Sequence, residues 1–226
     1  MSAVRVRYSP WVVCAGKINQ NAATLHSSIA QSVERLTVNQ NVPGSSPGGG
    51  VRVKETTVNV INDFLPEETF DYLCSQTINN RDFPWYLDTK LETSSVDPIY
   101  NFQYVHKFYD RDQPTSSFYD VIEEVFSQRL NVKAWIRCKL NLTLPTESHI
   151  EWGAHTDVPS DWESKTAIFF MSQTNGYTRI IDPNDDGTGI IRGNQNRILI
   201  FDGKYKHTGA SNTDWKRRFV LNFNYF

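Results

Sequence analysis

Residues 217–225, Arg-Arg-Phe-Val-Leu-Asn-Phe-Asn-Tyr, alternate between two kinds of side chain. Successive side chains of an extended chain leave on opposite sides, so this segment has one apolar face and one mainly polar face. The apolar face holds Phe219, Leu221, Phe223 and Tyr225, and the other holds Arg218, Val220, Asn222 and Asn224. An aromatic face can pack against helices, which leaves the polar face turned into the interior of a barrel. Because small ligands usually bind in the mouths of barrels, the segment predicts a strand of a ligand-binding barrel.

The same period of two recurs elsewhere in the second half of the chain. From Lys133 onward, an apolar row and a polar row alternate: Ile136, Cys138, Leu140, Leu142 and Leu144 against Arg137, Lys139, Asn141 and Thr143. Further strand candidates are residues 58–61, 166–171, 178–181, 189–192 and 197–201, separated by turn-rich pieces such as residues 182–187. Short strands at this spacing indicate a β-sandwich or a jelly roll.

Two segments have helical spacing instead. The first begins within Asp63–Glu68, with Pro66 in its first turn and acidic residues near the positive end of the helix dipole. Its apolar stripe consists of Phe70, Leu73 and Cys74. The second follows a cap at Thr115 or Ser116 and runs to Leu130, with apolar residues at 118, 121, 122, 125 and 126. The sequence therefore predicts a mainly β fold with flanking helices.

Composition excludes several classes of protein. The 226 residues suffice for one domain, and 39% apolar and 13% aromatic residues fit a soluble protein with an aromatic core. With 23 basic and 25 acidic residues, no bulk binding to nucleic acid or to an anionic membrane is expected. Three widely spaced cysteines predict neither a disulfide framework nor a zinc-binding CxxC pattern. Without an apolar run long enough for a membrane span, we expect a cytoplasmic protein.

Residues 1–50 are predicted to be a disordered leader, and residues 51–226 the folded domain. The leader has no sustained periodicity and ends in a segment rich in Pro, Gly and Ser, residues 42–50. Residues 29–40 and 44–47 also resemble a transfer-RNA gene read as codons, since Ala-Gln back-translates to GCU CAG and Gly-Ser-Ser-Pro to GGU UCG AGU CCC. On this hypothesis the start was assigned too far upstream, and translation begins at Val51 or Val53.

The chemistry is concentrated in Trp-Gly-Ala-His-Thr-Asp, residues 152–157. His155 and Asp157 are two apart on extended chain, so both side chains leave the same face and form a chelating pair. His207 follows a predicted strand and a turn, and a jelly roll can bring it opposite this pair. Two imidazoles and one carboxylate on one side of a metal ion leave its other positions open, as non-heme Fe(II) requires. A structural zinc site would need four ligands, usually with thiolates, and this region has no cysteine.

The order His155-Thr-Asp157, His207, Arg218 resembles the HxD…H…R order of 2-oxoglutarate/Fe(II)-dependent oxygenases, in particular the prolyl-4-hydroxylase-like branch and oxygenases of bacteriophages. The bacteriophage likeness lies in residues 139–142, 166–170, 175–178 and 222–226. The resemblance covers residues 58–226 and implies a double-stranded β-helix, the cupin-like jelly roll. It further implies one Fe(II), 2-oxoglutarate and dioxygen as cosubstrates, ascorbate as a candidate activator, and release of succinate and carbon dioxide.

The resemblance also suggests roles for residues around the metal. Arg218 offers a planar, permanently charged fork for the distal carboxylate of 2-oxoglutarate, whereas Arg217 shares the face of Phe219. Asn222 lies on the same face as Arg218 and can donate to the cosubstrate. Asn141 is a candidate for the other end of 2-oxoglutarate, and either Thr178 or Tyr177 is expected to face the pocket.

Each of these residues also has a purely structural interpretation. His155 with Asp157 can be a surface hydrogen bond, His207 a loop histidine and Arg218 half of a salt bridge. The tryptophans at 135, 152 and 162 are expected to pack in the core or at the rim rather than stack on bases. The basic row Arg137 and Lys139 is either a solvated face or a binding site for an acidic substrate.

Two functions of different classes follow. The first is an oxygenase that hydroxylates, or oxidatively demethylates, a substrate that is a peptidyl proline or another protein side chain, a nucleobase or a small metabolite. The second is a non-catalytic jelly-roll binding module with a structural metal. Fold does not dictate function, so the sequence leaves the substrate open.

Overall fold

A computed structural model describes residues 58–90, 96–181 and 189–226. The predicted leader, residues 1–50, and the predicted turn at residues 182–187 lie outside this part of the chain. The described elements are, in order, β1 (Asn59–Ile61), α1 (Glu67–Gln76), β2 (Tyr86–Thr89), β3 (Phe102–Asp110), β4 (Gln113–Pro114), α2 (Tyr119–Phe126), β5 (Trp135–Thr143), β6 (Lys165–Phe170), β7 (Tyr177–Ile181), β8 (Gly189–Arg192), β9 (Arg197–Asp202), β10 (Lys206–Gly209) and β11 (Arg218–Tyr225).

The strands form two antiparallel sheets. The larger sheet has eight strands in the order β1-β9-β6-β11-β5-β3-β2, with β4 paired to β3, and the smaller has three in the order β10-β7-β8. Strands distant in sequence are neighbours in both sheets, as in a jelly roll. The predicted mainly β jelly roll with flanking helices is thus confirmed. No helix in the described ranges is long and apolar enough to cross a membrane.

Strand β11 lies in the middle of the large sheet, between β5 and β6. Its apolar face packs against both helices as predicted, because Phe219, Leu221, Phe223 and Tyr225 belong to the same core cluster as Phe70 of α1 and Phe126 of α2. Phe126 is fully buried, and its ring centre lies 4.6 Å from that of Phe223. The opposite face of β11 is thereby turned away from the helices and toward the small sheet.

The helix ends differ from the prediction in detail. Pro66 is the N-cap residue of α1 rather than part of its first turn. Helix α2 ends at Phe126, earlier than the predicted Leu130, and neither predicted residue caps it with a side-chain hydrogen bond. The Ser116 hydroxyl is instead bound 2.7 Å from Nε2 of His106, and the Thr115 hydroxyl donates to a β3 carbonyl. The Ser116 hydroxyl also accepts from the N–H of Phe118 at 3.1 Å, one residue before the first residue of α2, so it closes a turn there rather than capping the helix.

Four strands were not predicted: β2, β3, β4 and β10. Strand β3 pairs with β5, but the register shifts between Lys107 and Tyr109. Such an irregularity interrupts the period of two, and β3 also has buried residues on both faces, including Gln103 and His106. The short strand β10 carries His207, which the sequence had placed after a turn.

Candidate active site

The three predicted metal ligands meet at the edge between the two sheets. The backbones of His155 and His207 pair as an antiparallel bridge, with N–H to O distances of 3.0 Å and 2.9 Å in the two directions. Asp157, two residues after His155, turns its carboxylate toward both rings. Its oxygens lie 3.7 Å from Nε2 of His155 and 3.6 Å from Nε2 of His207. The candidate ligand atoms of all three residues lie within 4.8 Å of one another, close enough to share one ion.

Asp157 is held as a carboxylate inside the fold. Its side chain is only 5% exposed, and Nη2 of Arg137 lies 2.7 Å from Oδ1. The amide of Asn224 on β11 donates to the other oxygen at 3.3 Å. Burial alone would raise the pKa of Asp157, but the contact with His155 and the charges of Arg137 and His207 hold it well below its usual range. The carboxylate is therefore already in the protonation state that a metal requires.

His207 is buried at 3% exposure. Burial lowers its pKa, although the nearby Asp157 carboxylate opposes that change. Metal ions bind the neutral form of imidazole. Because burial lowers the pKa of His207, it favours this neutral form at neutral and mildly acidic pH.

The metal ligands open into a pocket of about 530 Å³, counted with its mouth. It is lined by every residue that the sequence singled out for the cosubstrate: Asn141, Thr178, Arg218 and Asn222. The alternative to Thr178, Tyr177, points away, since its hydroxyl donates to Glu151 at 2.7 Å.

Arg218 is buried at 4% exposure and has no acidic partner within the described part of the chain. Its Nη2 donates to the Tyr177 carbonyl at 3.4 Å, and Nε has no hydrogen-bond partner. Burial lowers the pKa of Arg218 to about 10. Its side chain lies against Gly176, where an added Cβ would come within 2.7 Å of Cδ. A glycine thus leaves the space that the buried arginine occupies.

Further polar atoms facing this pocket lack partners in the described ranges. They are Oδ1 of Asn141, Oδ1 of Asn222 and Oε1 of Gln103. Buried polar groups are normally hydrogen-bonded, so unsatisfied groups around a pocket indicate a polar ligand. These three oxygens are acceptors and need a donor, whereas the unpaired guanidinium of Arg218 is a donor that fits a carboxylate. Arg218 therefore suits one carboxylate of 2-oxoglutarate beside the metal ligands.

The neighbouring arginine, Arg217, is exposed and lies over the ring of Phe219, 5.4 Å from its centre. Strand parity therefore separates the two arginines as predicted. Arg137 and Lys139 do not form a solvated face, because Arg137 contacts Asp157 and Lys139 lines the pocket.

Five pocket residues were given no place in the site by sequence reasoning: Lys90, Gln103, Trp152, Ile168 and Gly209. Lys90 and Gln103 reach the pocket through the pairing of β2 with β3, two strands that the periodicity did not reveal. Trp152, predicted to be a packing residue, is buried, and its indole nitrogen donates to the Tyr100 carbonyl at 2.8 Å. The only sequence feature that could have placed Trp152 in the site is its position three residues before His155.

No family model and no curated protein matches the chain. Among solved structures, it is similar to an oxidoreductase of the 2OG-Fe(II) oxygenase family from Burkholderia pseudomallei, at 12% identity and a TM-score of 0.57 over 74% of this chain and 84% of that one. A prolyl hydroxylase from Trichoplax adhaerens, solved with a hypoxia-inducible-factor peptide, matches at 14% identity and a TM-score of 0.56 over 75% and 83%. The α-ketoglutarate-dependent epimerase SnoN of nogalamycin biosynthesis matches at 9% identity and a TM-score of 0.53 over 76% and 78%. The chain therefore has the jelly-roll fold that these non-heme iron enzymes share.

Proposed function

We propose that the chain is a 2-oxoglutarate/Fe(II)-dependent dioxygenase that hydroxylates, or oxidatively demethylates, a primary substrate and releases succinate and carbon dioxide. One observation carries this proposal: the cluster of His155, Asp157 and His207 lines the same pocket as Arg218, a buried cation without an acidic partner in the described residues. A metal site and a carboxylate site in one pocket are what this reaction needs.

In this proposal, His155, Asp157 and His207 hold the iron through two imidazole nitrogens and one carboxylate oxygen. When bound, Fe(II) supplies the activation of dioxygen, with 2-oxoglutarate as the electron donor. Arg137 and Asn224 keep the Asp157 carboxylate oriented and ionised, because they bind its two oxygens. The side chain of Asp157 is only 5% exposed, so the surrounding fold shields its carboxylate from bulk water.

The cosubstrate is assigned to the wall formed by β5, β7 and β11. Arg218 binds its distal carboxylate, and Asn222 and Thr178, which line the same pocket, are candidates to contribute hydrogen bonds. Asn141 and Gln103 also line the pocket, and their side-chain amide N–H groups are the candidate donors to the other end of the molecule. A bidentate pair between guanidinium and carboxylate is both strong and directional, which positions the bound acid.

A non-catalytic binding module with a structural metal is less well supported. Burying an unpaired guanidinium and several unsatisfied amides costs stability, and a module that only packs around a metal gains nothing from them. A ligand that satisfies these groups explains their presence.

The test is formation of succinate from 2-oxoglutarate with Fe(II), ascorbate and air, with an anaerobic sample as the blank. Turnover without a primary substrate is sufficient to detect the activity. Asp157→Ala removes one of three ligands, so we expect it to abolish turnover while the chain stays folded. Asp161→Ala, which removes an exposed carboxylate four residues away, is the matched control and should retain turnover.

Binding of Mn(II) in place of Fe(II), followed by calorimetry, gives a second measurement. Wild-type affinity for Mn(II) in Asp157→Ala would place the ligands elsewhere. A wild-type protein that binds Mn(II) and never converts 2-oxoglutarate would favour the binding module instead.

A further inference from the structure

The pocket contains more positive charge than the proposed reaction accounts for. Its ionisable lining residues, apart from the two histidines, are Lys90, Lys139 and Arg218 against the single carboxylate of Asp157. Asp157 is already paired with Arg137. In the proposed reaction, one carboxylate of 2-oxoglutarate is matched by the metal and the other by Arg218. Within the described ranges, both lysines then remain without a paired anion.

Lys139 points into the barrel from β5. It lies directly across from Asn222 of β11, in the row that also holds Arg137 and Asn141. Within the described residues its ammonium group makes no hydrogen bond and no ion pair, although the Asp157 and Asp88 carboxylates are near enough to act on it through space. Burial lowers the pKa of Lys139.

Lys90 enters the pocket from the segment that follows β2. Its ammonium group lies 4.3 Å from the ring centre of Trp152, and it too makes no ion pair with an acid of the described chain. Burial, together with the charges of Arg218 and Lys139, lowers the pKa of Lys90 well below its usual value. The charges of Arg218 and Lys139 therefore act on Lys90, and all three residues line one pocket.

Such an arrangement costs stability unless an anion enters it. An ammonium group is a compact charge with three donors, and it binds carboxylate and phosphate oxygens equally well in geometric terms. We propose that the primary substrate carries an anionic group, a carboxylate or a phosphate, which binds to Lys90 and Lys139 beside the metal centre. This inference rests on the proposed function and narrows its substrate to a small acid, in preference to a neutral peptidyl proline or a neutral nucleobase.

The experiment uses full-length protein loaded with Mn(II), which supports no turnover, and saturated with 2-oxoglutarate. Inorganic phosphate and acetate are then titrated in separate calorimetric experiments at constant ionic strength set with chloride. The variants are Lys90→Gln and Lys139→Gln. Lys216→Gln, which removes one exposed charge outside the pocket, is the matched control.

We expect at least one of the two anions to bind to the wild type and to Lys216→Gln, and to bind at least tenfold more weakly to both pocket variants. Affinity for 2-oxoglutarate should change by less than about threefold. Since a tenfold change corresponds to about 1.4 kcal/mol, this is a change of under about 1 kcal/mol in binding free energy. Which anion binds distinguishes a carboxylate from a phosphate substrate. Removing a half-buried charge that has no acidic partner in the described residues should leave the urea midpoint of unfolding unchanged or raise it, so both variants should be folded. Lys90→Met and Lys139→Met match the length of the unbranched lysine stem without its ammonium group, and they repeat the test.

Three results would overturn the inference: neither anion binds to the wild type, both bind equally to all variants, or the lysine variants lose 2-oxoglutarate instead. The last result would assign the lysines to the cosubstrate. Failure of the wild type to bind 2-oxoglutarate at all is a different outcome, because it contradicts the proposed function itself.

Discussion

Two neighbouring arginines, identical in chemistry, differ in this protein by which side of β11 they occupy. Arg218 is buried in the pocket, and Arg217 is exposed beside Phe219. We predict that Arg218→Ala weakens 2-oxoglutarate binding by roughly two decades or more, because breaking a buried guanidinium–carboxylate pair from one side costs on the order of 3–5 kcal/mol. Calorimetry with Mn(II)-loaded protein measures this loss.

Affinity for Mn(II) without cosubstrate should barely change in Arg218→Ala, since no metal ligand is removed. Arg217→Ala removes the same charge from the other face of the strand and should leave the affinities for 2-oxoglutarate and for Mn(II) nearly unchanged. A selective loss of 2-oxoglutarate binding in Arg217→Ala would mean that the cosubstrate lies on the opposite face, and the assignment of Asn222 would fall with it.

Arg137 acts on the metal through Asp157, so we predict a positioning role for it. Arg137→Gln leaves a buried carboxylate without its closest cation, and loss of such a supporting partner typically lowers metal affinity about 10–100-fold. Mn(II) calorimetry at neutral pH measures this decrease. Arg81→Gln removes an exposed arginine and serves as the control. Equal Mn(II) affinity in the two variants would rule out the role.

The same substitution changes the pH dependence of stability. The pKa of Asp157 in the folded protein lies below its unfolded value of about 3.9, so the stability it contributes is present above that pH and is lost as pH falls through the folded pKa. Removing Arg137 raises the folded pKa. The urea midpoint of metal-free Arg137→Gln should therefore begin to fall at a higher pH than that of the wild type.

At the level of elements, the sequence predicted the strands that keep a strict period of two. In β5 and β11, one face is apolar and the other mainly polar, so both strands and the pocket face with Arg218, Asn222 and Asn141 could be predicted directly from the alternation. Strand β3 could not be predicted in this way, because a register shift interrupts its alternation and buried residues lie on both of its faces. Lys90 and Gln103 depend on that strand, and no local pattern could place them in the site.

Helix α2 fixes the outer face of the sheet that carries the pocket. Phe126 is fully buried, with ring contacts at 4.6 Å to Phe223 and 5.3 Å to Phe169. We predict that Phe126→Ala lowers the free energy of unfolding by about 3–5 kcal/mol, the usual cost of deleting a buried aromatic ring. Urea denaturation measures it. Tyr72→Ala on α1, where the side chain is 42% exposed, should change it by less than about 0.5 kcal/mol. Similar losses in the two variants would contradict the packing of α2 on β11.

At the scale of the whole molecule, the fold is completed by elements from β1 to β11, the first of which begins at Asn59. Among the described residues, the metal ligands, the pocket and both core clusters come from Val58 onward. All the residues to which we assign a role in the proposed function therefore follow the predicted leader.

We predict that residues 1–50 are dispensable for folding and for cosubstrate binding. Stability comes from buried apolar surface, and the leader lacks the periodic apolar pattern that would let it add to a core. A protein comprising residues 51–226 should therefore match the full chain in melting temperature and in affinity for 2-oxoglutarate with Mn(II). A second protein comprising residues 59–226 removes Val58, which packs against a core cluster beside β1, and should be measurably less stable than the first. If the protein comprising residues 51–226 fails to fold or loses cosubstrate affinity, the leader belongs to the domain, and the hypothesis of a start at Val51 or Val53 fails with it.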